Sequence, residues 1–186
     1  MFEVIVNRWT NYDGMHLSND LRKLWEQHVF WTRLFIVSTL AELSDLDVTT
    51  DRLLRNPTDF ANILEKFYGR QNADIFRNLL EEHLTTAASV VNSAKQQNTE
   101  AVEHYSRLWY HNADQIAAFL AGINPLWSEA EWRNLLYDHL RMTTDEVLAR
   151  LAGDHAREVA IFDMIEEQAL DMADVMTAGI VKQFEL

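Results

Sequence analysis

Three histidines of this chain recur inside nearly the same eight residues. Arg77-Asn78-Leu79-Leu80-Glu81-Glu82-His83-Leu84 returns as Arg133-Asn134-Leu135-Leu136-Tyr137-Asp138-His139-Leu140, and more loosely as Arg22-Lys23-Leu24-Trp25-Glu26-Gln27-His28-Val29. The first two copies agree at six of eight positions, and every copy sets an arginine six and a leucine four residues before the histidine. Imidazole is a base, a hydrogen-bonding group and a common transition-metal ligand, so a repeated histidine points first to those chemistries. On a helix, the turn neighbours of His28 are Leu24, Trp25, Trp31 and Thr32, and those of His83 are Leu79, Leu80, Thr86 and Ala87. His139 has Leu135, Leu136, Met142 and Thr143, so all three imidazoles fall on an apolar stripe. The arginines rotate away from it. Arg22 with Glu26, and Arg77 with Glu81, read as solvated i,i+4 pairs.

Carboxylates follow at a similar interval. Asp59 and Asp114 lie 31 residues after His28 and His83, and Asp174 lies 35 after His139. Two residues of an antiparallel helical hairpin share a height when they are equidistant from its turn. That rule sets Asp114 opposite His83 and Asp59 near His28, while Asp171 or Glu167 matches the height of His139 as well as Asp174 does. His111-x-x-Asp114 and Asp171-x-x-Asp174 each put two donors on one helical face, a spacing by which one helix of a bundle supplies two ligands to a metal. The expected shell is therefore His28, His83 and His139 with Asp114 and Asp174, completed from His111, Asp171 or Asp59. Nitrogen and oxygen donors without thiolate favour iron, manganese or zinc, and Glu82, Asp138 and Gln27 are candidates to orient the rings. A second account needs no metal. Duplication of a hairpin held by a structural His–Asp hydrogen bond would repeat the same pair three times in a non-catalytic structural or interaction module. The spacing leaves open whether any reaction takes place.

The elements that must carry these residues are helices. Seven residues in total are Gly or Pro, and nearly all fall where a helical period breaks. Ser18 is the expected N-cap of a long helix to about Leu43, and a shorter helix near residues 50–68 follows, with Pro57 in a first turn and Gly69 as its stop. Further helices are expected from about Asn72 to Gln97, from the Asn98-Thr99-Glu100 cap to Gly122, from the Ser128-Glu129-Ala130-Glu131 capping box to Gly153, and from Asp154 to about Gln183. This is an all-α chain: an antiparallel up-and-down helical bundle of five long helices and one short, built from three hairpin repeats in a single domain, residues 1–186. Residues 1–17 show no period and read as an irregular leader.

Histidines and carboxylates projecting into antiparallel helices resemble ferritin-like and hemerythrin-like bundles. The Leu79-Leu80-Glu81-Glu82-His83-Leu84 segment is also similar to one found in a group of small bacterial helical metalloproteins. The resemblance implies a metal centre inside the bundle. The chain contains no E-x-x-H, which moves the expectation away from a di-iron oxidase or iron store and toward a mononuclear or atypical site.

Composition narrows the field. The 186 residues carry 16 Lys plus Arg against 29 Asp plus Glu, a formal charge of −13, so neutralisation of nucleic-acid phosphates or anionic lipid cannot drive association. No apolar run approaches the length of a membrane span, the longest being Leu34 to Ala41, and no basic leader opens the chain. A cytoplasmic protein is expected, with homo-oligomerisation left open. There is no cysteine, no glycine-framed serine and no glycine-rich phosphate loop, so a nucleophilic hydrolase has little support and neither nucleotide nor flavin is expected.

Overall fold

The computed structural model describes residues 13–186, which are helical apart from short connections, with no strand among them. The helices are α1 (Gly14–Leu40), α2 (Leu46–Leu54), α3 (Asn56–Lys95), α4 (Thr99–Ile123), α5 (Glu129–Leu151) and α6 (His155–Phe184). Twelve residues of the expected leader lie outside the described part, and its last four form the first turn of α1. No described helix is long and apolar enough to cross a membrane.

Capping explains most boundaries. The first helix begins at Gly14 rather than after Ser18, because the Asp13 carboxylate accepts from the Met15 and His16 amides and satisfies two of the orphan donors of the first turn. Asn98, Ser128 and Asp154 cap α4, α5 and α6 as their sequence context indicates. The expected helix over 50–68 is instead two: α2 ends at Leu54, and α3 begins at Asn56 with Pro57 in its first turn. Gly69 interrupts α3 with φ 73° and ψ 166°, a kink that glycine adopts without steric cost, and helical bonding resumes beyond it.

The long helices pack in a closed order, α1 on α6, α6 on α5, α5 on α4, α4 on α3 and α3 back on α1, with α2 against α1 and α3. Two apolar clusters fill the interior. The larger contains Trp25, Phe60, Phe76 and Trp132, with Trp25 stacked near Trp132 and edge-on to Phe60. The smaller, Phe35, Ile36, Leu53, Leu84, Val91 and Val147, lies toward the C-terminal ends of α1, α3 and α5. The three repeated histidines are carried on these same helices.

A candidate trihistidine metal centre

His28, His83 and His139 are all buried, at 2%, 2% and 3% exposure, although they are separated by more than fifty residues in sequence. One ring nitrogen from each lies within 4.8 Å of the other two. The His28 ring centroid is 6.2 Å from that of His83 and 5.7 Å from that of His139. Among the described residues this is the one group of three or more potential ligands so arranged.

Carboxamides from the following part of the chain fix two of the rings, and a third carboxamide lies beside the last. The Asn56 side-chain amide donates to the Leu24 carbonyl at 3.0 Å, which leaves its Oδ1 to accept from His28 Nδ1 at 3.0 Å. Asn112 does the same, donating to the Leu79 carbonyl at 3.0 Å and facing His83 Nδ1 at 3.0 Å. Gln168 donates to the Leu135 carbonyl at 2.7 Å, and its carboxamide lies beside His139. In all three cases the carbonyl belongs to the residue four before the histidine, the leucine of the repeated segment. An amide whose N–H₂ is committed to a carbonyl can only accept through its oxygen, so in His28 and His83 Nδ1 carries the proton and Nε2 keeps the lone pair. Trp109 Nε1–H donates to His83 Nε2 at 3.3 Å, in agreement with that tautomer.

Burial keeps the rings uncharged. Desolvation lowers the pKa of His28 to about 4, opposed by Asn56. It lowers that of His139 to about 3, where the neighbouring His28 adds to the effect and Gln168 opposes it. His83 is driven well below the usual imidazole range by the same desolvation, reinforced by His28 and His139. At neutral pH the site therefore presents three neutral imidazoles, the protonation state that ligates a metal.

The donor set suits a metal with borderline-soft preferences such as zinc or iron(II). With metal–nitrogen bonds of about 2.05 Å, three tetrahedral donors sit roughly 3.4 Å apart, so the rings need close inward by an ångström or so. The third arm has two buried atoms without a hydrogen-bond partner, His139 Nδ1 and Gln168 Oε1.

The carboxylates are engaged elsewhere. Asp114 accepts from Arg133 at 2.8 Å and from the Tyr137 hydroxyl at 3.0 Å, and Asp174 pairs with Arg22 at 2.6 Å. Arg22 and Arg133 are the repeated arginines, six before their histidines. Arg22 meets Asp174 across helices rather than the expected Glu26, Arg133 meets Asp114 across helices as well as Glu129 on its own helix, and Arg77 pairs with Asp74 instead of Glu81. Asp59 pairs with Arg55, and His111 and Asp171 are exposed. Glu82 and Asp138 are also exposed, and Gln27 is half-buried. None of these joins the histidine group.

The ring-orienting amides were missed by sequence reasoning, yet a signal for them was present. Asn56, Asn112 and Gln168 follow their histidines by 28, 29 and 29 residues, a more even interval than that of the aspartates. The midpoints of these pairs fall at or beside Glu42, Gln97 and Gly153, whose positive φ values of 55°, 56° and 72° mark the helix ends. Compared with protein-family models, with curated proteins and with solved structures, the chain matches none.

Proposed function

We propose that this protein binds one transition-metal ion through Nε2 of His28, His83 and His139, on a bundle made of three helical-hairpin repeats. The observation that carries this reading is the convergence of three buried imidazoles, two of them in a complete His–carboxamide–carbonyl relay and the third beside an anchored carboxamide. The outer nitrogens of His28 and His83 are each held by an amide that is itself anchored to the backbone, Gln168 is anchored in the same way beside His139, and one ring nitrogen of each histidine lies within 4.8 Å of the other two. Burial of all three as neutral bases supports it, as do the unpartnered atoms on the third arm. Three protein ligands leave a fourth position open, where a bound metal supplies Lewis acidity to a water or substrate. The chain's own part is to hold the rings neutral, fix their tautomer and exclude bulk water.

A second reading is favoured by one contact. Because Trp109 already donates to His83 Nε2, the histidines also suit a metal-free polar core in a structural module. Elemental analysis of untagged protein, purified without chelator and then dialysed against zinc, iron(II) and manganese(II) in turn, separates the two. The metal reading expects about one tightly held equivalent per chain, a rise in Tm on loading, and loss of both in His139→Gln. Less than about a tenth of an equivalent with every metal, and no change in Tm, would establish the polar-core reading instead.

A further inference from the structure

The two faces of the histidine cluster differ. Toward the N-terminal ends of α1, α3 and α5 it rests on closely packed side chains, with the Trp25 ring centroid 5.6 Å from that of His28 and Trp25 against Phe60 and Trp132. On the opposite face lies a cavity of about 20 Å³, whose wall includes Thr32, Ala87 and Thr143. Each of these is four residues after a repeated histidine, so these wall residues leave their helices about one turn, roughly 6 Å of rise, beyond the histidines. It occupies the space where the larger apolar cluster gives way to the smaller, lined by members of both.

The wall offers almost nothing polar to a guest. The Thr32, Thr143 and Thr144 hydroxyls donate to the carbonyls of His28, His139 and Leu140 at 2.7, 2.9 and 2.8 Å. The remaining donor is the indole N–H of Trp109, which lines the cavity and is directed at His83 Nε2. That acceptor is the lone pair a metal would take, so metal binding leaves the indole N–H without its partner, at the boundary between the centre and the cavity.

On the strength of the metal reading above, we infer that this cavity is the ligand chamber of the trihistidine centre. Its occupant is a small uncharged molecule, apolar over most of its surface, with one acceptor atom that Trp109 engages beside the open coordination position. A water needs about 10–15 Å³ of such space, so the chamber as it stands suits a guest of about two heavy atoms. An anion would be left without further donors in an apolar wall, and its desolvation would not be offset.

The test uses xenon and nitric oxide as probes on the full chain. Xenon, examined first with metal-free protein by pressurised crystallography or ¹²⁹Xe NMR, should occupy the chamber, and Ala87→Leu or Ala88→Leu, which fill it, should displace the gas while metal stoichiometry stays unchanged. In iron(II)-loaded protein, nitric oxide should give its paramagnetic adduct and outcompete azide. Its affinity should fall at least about tenfold in the filled variants and about fivefold in Trp109→Phe. Xenon absent from this cavity, or nitric oxide affinity equal in wild type and both filled variants, overturns the chamber while leaving a measured metal stoichiometry intact. Protein that takes up no metal overturns the metal reading, and with it the chamber's role as that centre's ligand site.

Discussion

Lowering the pH of the metal-free protein from 7 to 5 should expose the histidine cluster as a stability cost that depends on burial. The unfolded chain takes a proton on each imidazole as pH falls through about 6.5, whereas the folded chain holds His28 neutral to about 4 and His139 to about 3. The unfolded state thus binds more protons, and stability that is present above pH 6.5 is lost as pH drops toward the folded values. Between pH 7 and 5 each of these two residues removes about 2 kcal/mol, and His83 adds to the loss in the same direction. One group opposes them. Glu146, 2% exposed and 2.5 Å from Arg33, has its carboxyl pushed up to about 7 chiefly by burial, against the attraction of Arg33. It takes its proton in the folded chain before the unfolded one, which returns about 2 kcal/mol over the same interval. At Glu158 burial favours the neutral acid, but His155, Arg150 and Arg33 outweigh it and hold the pKa below 4.5, outside the interval. Urea unfolding of the metal-free protein should accordingly show a loss of about 2 kcal/mol plus the share of His83, and Glu146→Gln should enlarge the loss to about 4 kcal/mol plus that share. A Glu146→Gln protein equally stable at pH 7 and pH 5 would refute the account of three buried neutral imidazoles.

Other substitutions test neighbouring parts of the argument. Asn112→Leu removes the acceptor that fixes the His83 tautomer and should weaken metal binding about 10–100-fold, read by chelator competition. Asp114→Asn and Asp174→Asn should leave metal stoichiometry unchanged and alter stability by no more than about 1 kcal/mol, because both carboxylates belong to partly exposed ion pairs with Arg133 and Arg22. Gly179→Ala should cost about 1–3 kcal/mol or more in denaturant unfolding and disturb Trp127 fluorescence, since a Cβ at that position would overlap the Trp127 indole, which donates to the Val175 carbonyl.

The sequence by itself determined the helical architecture, most of the helix caps, and the placement of His28, His83 and His139 on apolar stripes. Period, capping residues and glycine conformation are local properties, and local physics reads them well. Tertiary structure decided which groups meet the rings. The same equidistance rule that led to Asp114 leads to Asn112 once the turn is located at Gln97, and a shift of two residues rotates a side chain by about 200° around the helix. Asp114 therefore faces Arg133 near the surface while Asn112 is buried against His83. The small difference matters because an ionised aspartate in that dry position would carry a large desolvation cost, whereas a carboxamide can orient the ring as a neutral group. The ion pairs linking Arg22 to Asp174 and Arg133 to Asp114, the indole contact of Trp109, and the cavity beyond Thr32, Ala87 and Thr143 depend likewise on how separate helices settle together, a question of packing between distant segments on which local periodicity is silent.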